Sequence, residues 1–291
     1  MTYIGRFAPT PSGPLHFGSL IAATASYLDA KSHQGQWLLR IDDLDTPRVV
    51  SGSIDQIFFQ LDAYGFQWDA NPVYQSQRGD LYQHALDQLL ADDHAFYCEC
   101  TRKQLFERNP QGIYDGHCRK ITPRDPKQCS VRFKAPAQTL EFTDLIQGRV
   151  DLDAQMALGD FIIKRRDGFF GYHLACAVDD LAQGITHVIR GHDLLSSSFA
   201  QRLITYALNE SYLCYGHHPV AVNHQQIKYS KSANSRAIKP SQAVATLWQA
   251  LAFLGQRPPS SLQKSDVNTL WTWAFEHWQL TQIPTTGWIE I

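Results

Sequence analysis

The chain has 291 residues, 44% of them hydrophobic, with a formal net charge of -2 and a pI near 6.6, enough apolar material for one large α/β domain or for a domain with inserted modules. A protein that grips RNA along its length is more basic than this, so any RNA contact has to rest on local patches. No apolar run reaches membrane-span length and the N-terminus lacks the basic and apolar regions of a signal peptide, so a cytoplasmic protein with no membrane partner is expected.

Tyr3 to Ala8 (YIGRFA) reads as a short buried strand, and Ser19 to Gln34 as a helix closed by Gly35. A tight turn built from Pro11, Gly13, Pro14 and Gly18 joins them. A strand that turns sharply into a helix leaves the first helical N–H groups unpaired, with the positive end of the helix dipole behind them. That is an anion site suited to a triphosphate. His16 sits in the turn as a possible donor, and Gly18 brings no side chain between a nucleotide and the backbone. Trp37 to Ile41 is the next strand, giving a parallel, right-handed unit. Asp42, Asp43 and Asp45 follow at its C-terminal end, where ligands of parallel sheets bind, so a carboxylate there meets a substrate ammonium or else caps the next element. Ser53 to Tyr64, stopped by Gly65, and Leu81 to Leu90 carry the apolar spacing of packing helices.

Six cysteines in such a chain do not suggest a disulfide framework. Cys98, Cys100 and Cys118 fall together, with Tyr114, Asp115 and His117 just before the last. Thiolates prefer zinc, a tetrahedral site needs four ligands, and spacing alone favours His117 as the fourth. Cys129, Cys176 and Cys214 read as buried small hydrophobes. The region Cys98 to Leu158 reads as an inserted module with a few strands, including Ser130 to Phe133. Asp160 to Arg166 is a strand candidate, Asp167 and Gly168 a hairpin turn, and FFGYHLACAVDD, which carries Tyr172, a further apolar segment. Arg190 follows a strand from Ile185 to Ile189; its planar fork suits a carboxylate, or a structural ion pair. Ser197 to Leu208 is a helix and Val220 to Val222 a strand leading to KYSKS, Lys228 to Ser232. Ammonium groups at Lys228 and Lys231 can neutralise charge developing on a triphosphate. Basic patches occur at Lys228, Lys231, Arg236 and Lys239, and at Lys164, Arg165 and Arg166. Two helices, Val244 to Leu254 and Val267 to Trp278, end the pattern.

HFGS at His16 to Ser19 and KYSKS at Lys228 to Ser232 resemble the two signature motifs of class I aminoacyl-tRNA synthetases. RFAPTPSGPLHFG, RIDDLD at Arg40 to Asp45 and VIRG at Val188 to Gly191 resemble the glutamyl type within that class, over about Tyr3 to Trp278. More narrowly the chain resembles the truncated bacterial paralogues of glutamyl synthetase that act on queuosine in tRNA(Asp). The resemblance implies a Rossmann-type α/β catalytic domain with a parallel sheet, in two halves at 1–97 and 159–232. A zinc-containing, acceptor-binding-like module at 98–158 separates the halves, and a short helical region follows at 233–291. Only 60 residues follow Lys231, so no anticodon-binding domain is expected. By resemblance, ATP, with Mg2+, is held by His16, Gly18, Ser19 and Lys231, and catalysis adds Lys228. Glutamate is held by Arg6, Phe7, Ala8, Pro9, Thr10, Asp42, Tyr172 and Arg190. The resemblance favours Tyr114 over His117 as the zinc ligand completing Cys98, Cys100 and Cys118. The implied activity is adenylation of glutamate and its transfer to the queuosine at the first anticodon position of tRNA(Asp), by a monomer. Two positions depart from the pattern. Ser19 stands where many class I enzymes have a second histidine, and Asp42 stands where the family usually has the longer Glu.

Overall fold

In the computed structural model, which describes residues 2–208, 213–223 and 237–291, the opening unit is β1 (Ile4–Phe7), α1 (Phe17–Ser32) and β2 (Gln36–Ile41). The two strands are parallel, with Arg6 opposite Leu38. α1 is buried along most of its length between Leu20 and Ala30, which makes it a central helix rather than a surface one. α1 ends at Ser32 with His33 as its C-cap, and the left-handed residue that follows is Gln34, with φ 52°, and not the predicted Gly35. Gly35 is needed for another reason: a Cβ there would stand 2.4 Å from the Tyr3 carbonyl oxygen, so only glycine lets β2 start against β1.

α2 (Ser53–Ala63) ends at Gly65, which has φ 77°, and β3 (Val73–Tyr74) extends the parallel sheet in the order β1-β2-β3. α3 (Gly79–Ala91) and β4 (Ala95–Cys98) lead to α4 (Arg102–Arg108) and β5 (Ser130–Phe133). β6 (Thr139–Asp144) and β7 (Gly148–Asp153) form an antiparallel hairpin, followed by the single turn α5 (Ala154–Ala157). β8 (Ile162–Lys164) is shorter than the predicted strand and joins β4 and β5 in an antiparallel sheet of order β4-β5-β8. Strands on either side of residues 98–158 thus share a sheet with Ser130–Phe133.

The turn at Asp167 and Gly168 forms, with φ 93° at the glycine, but the apolar segment beyond it is a helix, α6 (Tyr172–Ala182). Leu174, Ala175 and Val178 recur at helical spacing and pack with Leu86, Leu89 and Ile204 in one core. β9 (His187–Gly191) contains Arg190 within the strand rather than after it. α7 (Leu195–Ala207) leads to β10 (Cys214–His218), parallel to β9 with His217 opposite Arg190. β11 (Val220–Val222), α8 (Ala243–Phe253) and α9 (Val267–His277) follow, and β12 (Trp288–Glu290) pairs in parallel with β11. Neither β10 nor β12 is among the strands predicted from sequence. Cys129 and Cys176 are buried, but Cys214 is exposed because it opens β10 at the strand's outer end.

The β1-β2-β3 sheet and the β9-β10 pair meet through Thr186, just before β9. Its N–H donates to the Ile4 carbonyl at 2.9 Å and its hydroxyl accepts from the Ile4 N–H at 2.9 Å. β1 and β9 are therefore neighbours, and the crevice beyond their carboxyl ends is where an open parallel sheet receives its ligand. α8 and α9 close the other side of α1: Leu247, Leu251, Leu270 and Trp271 share a core with Leu20, Leu28 and Trp37. Full burial of each such side chain is worth roughly 1.5–3 kcal/mol, so the last helices brace the helix on which the crevice rests. Among the described residues no helix is long and apolar enough to cross a membrane.

Candidate active site

Gly13 turns the chain with φ 130°, a conformation that favours glycine. His16 then N-caps α1, its Nδ1 accepting from the Ser19 N–H at 3.3 Å. That places the ring proton on Nε2, 3.1 Å from Ser19 Oγ. The chain returns beside this turn at Ala237, which bridges His16, and Ile238 donates its N–H to the Leu15 carbonyl at 3.0 Å. Gln60 fastens both, accepting from the Leu15 N–H at 2.7 Å and donating to the Ile238 carbonyl at 2.8 Å.

The start of α1 opens on a cavity of about 690 Å³. Arg6, Phe7, Ala8, Pro9 and Thr10 line one wall, His16, Gly18 and Ser19 the helix end, and Asp42, Tyr172 and Arg190 the remainder. Every described residue expected to hold ATP or the amino acid therefore borders one space. Lys228, Lys231 and Arg236 lie outside the described residues. The chain on either side of them is described: Val220 and Ala221 line the cavity and Ala237 meets His16.

The acidic cluster divides. Asp43 accepts from the Ser76 N–H and hydroxyl at 2.7 and 2.6 Å, and Asp45 pairs with Arg48 at 3.0 Å. Only Asp42 lines the cavity. Its Oδ1 accepts from Arg40 Nε at 2.7 Å, and Arg40 Nη1 donates to Asp180 at 2.6 Å. Arg6 Nε donates to the same Asp180 oxygen at 3.2 Å. Burial pushes the Asp42 carboxyl above its ordinary value, with Arg40 opposing it. For Asp180 burial acts the same way, but Arg6 and Arg40 together hold it below the usual range. The Cys176 thiol lies 3.7 Å from Asp42 Oδ2, and burial pushes it up, so it faces that carboxylate as a neutral donor.

Arg190 is held differently. It is 4% exposed, and its partners are His217 Nε2 at 3.2 Å, Gln201 Oε1 at 2.9 Å, the Leu194 carbonyl at 3.2 Å and Ser198 Oγ at 2.7 Å. None is a carboxylate. Among the described residues, these four bonds leave one of the five guanidinium N–H donors unused. His173, the second residue of α6, has its pKa lowered to about 4, by burial first and then by the Arg190 charge. Sequence reasoning named Arg6, Asp42 and Arg190 but missed Asp180, Cys176, Ser198 and His217. Arg6 and Asp180 are 174 residues apart, and no local spacing marks such a pair.

At the end of β4, the Cys98, Cys100 and Cys118 sulfurs lie within 4.8 Å of one another. Tyr114 Oη is 3.5 Å from Cys98 Sγ and 3.9 Å from Cys100 Sγ, and it accepts from the Cys118 N–H at 2.8 Å. His117 is absent from this cluster. Arg108 Nη2 approaches Cys100 Sγ at 3.1 Å, and the Arg132 guanidinium stands 4.1 Å from the centre of the Tyr114 ring. Three thiols and a phenol in a cationic setting suit a thiophilic divalent metal. The run Lys164 to Arg166 is partly tied down: Lys164 donates to Gln83 at 2.7 Å, Arg165 pairs with Asp167, and Arg166 donates to the Glu99 carbonyl at 2.7 Å.

Residues 4–251 match the family model described as tRNA synthetases class I (E and Q), catalytic domain. A glutamyl-Q tRNA(Asp) synthetase of Vibrio cholerae is 43% identical over 98% of this chain and 93% of its own length, and that of Photobacterium profundum 44% over 97% and 90%. The chain belongs to the glutamyl-Q tRNA(Asp) synthetase family of class I. A crystal structure of glutamate-tRNA synthetase from Elizabethkingia anophelis is similar to it with a TM-score of 0.84 at 25% identity, covering 100% of this chain and 68% of that one. The class I synthetase catalytic fold accounts for the arrangement of this family member. A parallel sheet ends in a crevice, a helix N-terminus opens into it, and the segment joining the sheet's two halves carries the cysteine cluster.

Proposed function

We propose that this chain activates glutamate with ATP and transfers it to the queuosine at the first anticodon position of tRNA(Asp). The observation that carries the amino-acid choice is Arg190: a buried guanidinium in the cavity wall with hydrogen-bond partners but no carboxylate among the described residues. A buried charge without a counter-charge is costly, and the γ-carboxylate of glutamate would supply one. Asp42 Oδ2 then meets the α-ammonium, with Arg6 and Tyr172 flanking the α-carboxylate. Because Asp42 is short and its Oδ1 is engaged by Arg40, the ammonium contact runs through Oδ2, directly or through one water.

ATP would enter as its Mg2+ complex with its phosphates over the first turn of α1, where His16, Gly18, Ser19 and the helix dipole face it. An oxygen of the glutamate α-carboxylate attacks the α-phosphorus, the bond to the β-phosphate bridging oxygen breaks, and pyrophosphate leaves. Lys228 and Lys231 neutralise the developing charge. No side chain acts as nucleophile, since positioning and charge stabilisation are sufficient for this class of transfer. A hydroxyl of the queuosine diol then attacks the acyl carbonyl, the mixed anhydride breaks, and AMP departs.

The donor set Cys98, Cys100, Tyr114 and Cys118 fits zinc, and these residues would hold it. The metal would supply structure, tying the end of β4 to the turn at Cys118. The transfer step is tested by offering glutamate, ATP and tRNA(Asp) carrying queuosine, alongside the same tRNA with guanosine at that position. Glutamate bound only to the queuosine-containing tRNA supports the proposal; equal charging of both would make the enzyme a 3′-end synthetase instead.

A further inference from the structure

The turn between β6 and β7 is tied to the amino-acid pocket through His217. Asp144 ends β6, and its carboxylate is 2% exposed. Its Oδ1 accepts the N–H of Ile146 at 3.0 Å, of Gln147 at 2.9 Å and of His217 at 3.0 Å. Its Oδ2 lies 2.5 Å from His217 Nδ1. Gln147 Nε2 donates to the His217 carbonyl at 2.6 Å. The turn therefore grips His217 by its N–H, its carbonyl and its ring. On the far side of the ring, Nε2 faces Arg190 Nε at 3.2 Å and Ser198 Oγ at 3.0 Å.

The proton inventory admits one arrangement. Arg190 Nε carries a hydrogen that it cannot lose, so His217 Nε2 is an acceptor and the ring proton sits on Nδ1, donated to Asp144. Asp144 fixes the tautomer, and the tautomer decides whether Arg190 is met by a lone pair or by another hydrogen.

We infer that Asp144 and His217 are positioning residues for amino-acid recognition, holding the Arg190 guanidinium at the angle from which it meets a ligand carboxylate. Neither touches the cavity; both act through Arg190. The inference rests on the glutamate reading above, and it adds that a turn in the segment between the two halves of the parallel sheet sets the geometry of the pocket.

Asp144→Asn tests it with almost no change of shape. The amide oxygen has to stay on the three N–H groups at the Oδ1 position, which points the NH2 at His217 Nδ1 and moves the ring proton to Nε2. Two donors then face each other at Arg190. In ATP–pyrophosphate exchange without tRNA, the expected result is a rise of about tenfold or more in KM for glutamate, with kcat and KM for ATP within threefold of wild type and the melting temperature nearly unchanged. In an Arg190→Ala background the same substitution should add nothing, because contributions acting through one residue are not additive. A structural role would instead lower the melting temperature and persist in that background. Should Asp144→Asn fail to fold, His217→Phe keeps the ring stacked on Tyr215, removes both nitrogens and is expected to give the same shift in KM. An unchanged KM for glutamate in either folded variant overturns the positioning role and leaves the glutamate reading intact. A wild-type enzyme with no glutamate-dependent exchange overturns both.

Discussion

Two arginines of the cavity wall, Arg6 and Arg190, are equally buried and oppositely supported. Arg6 is 5% exposed and bonded to Asp180, which also takes Arg40; Arg190 is 4% exposed and, among the described residues, bonded only to neutral groups. One wall of the pocket is electrostatically closed, the other open. A paired arginine contributes to folding and presents little net charge, whereas an unpaired one is held at a cost and is free to attract an anion. Burial and residue type are the same at both positions, so the partner alone separates a cation that the fold has already neutralised from one left to take up a ligand's charge.

Removing each charge in turn separates the two arginines most sharply. Arg190→Ala is expected to lower kcat/KM for glutamate in pyrophosphate exchange by roughly a hundred- to a thousand-fold, the usual scale for deleting one member of a desolvated charge pair, with KM for ATP unchanged. Arg6→Ala should weigh on stability as well as on glutamate binding, by about 3–5 kcal/mol in denaturant unfolding, because Asp180 is left buried with Arg40 alone. If Arg190→Ala were the more destabilising of the two, the contrast would fail.

A smaller effect is expected far from the pocket. Cys118→Ala should abolish stoichiometric zinc in purified protein, measured by atomic absorption, and lower the melting temperature, while tRNA-independent exchange stays within about threefold. A large loss of exchange would mean that the cluster at the end of β4 is coupled to the pocket after all.

The smallest effect is a titration. His173 has its pKa lowered to about 4 from the ordinary 6.5, so the folded state prefers the neutral ring. Its contribution is complete above pH 6.5 and is lost as pH falls from 6.5 towards 4, on the order of 3 kcal/mol in all. His173→Phe should flatten the fall of the urea midpoint over that range. Because Arg190 is one cause of the depression, saturating glutamate should move the His173 titration upward in NMR; no movement would argue that no anion meets Arg190.

Much of this was legible in the chain, unevenly. The opening strand, turn and helix were, because local rules bind them: a Pro/Gly turn and a parallel return within forty residues. Ser130–Phe133 and Val220–Val222 form at the bounds their sequences suggest. Tertiary packing decided what local signals left open. Gly35 reads as a helix stop, yet its glycine is required by the approach of Tyr3. The FFGYHLACAVDD segment follows a hairpin turn, yet becomes a helix because both α3 and α7 offer an apolar face to it. β12 forms only because β11 offers an edge about seventy residues earlier. The cavity residues were recoverable through their motifs, but Asp180, Asp144 and His217 were not. Each acts across more than seventy residues, through a proton or a charge that no spacing records.

Selection of a carboxylate by Arg190 is tested most directly by ATP–pyrophosphate exchange by the purified chain without tRNA, comparing glutamate with glutamine. The two differ by one charged oxygen against one neutral amide. Exchange with glutamate, and at least a hundredfold less with glutamine, is the result predicted. Equal exchange with both, or none with glutamate, would contradict the claim that the unpaired arginine defines the substrate.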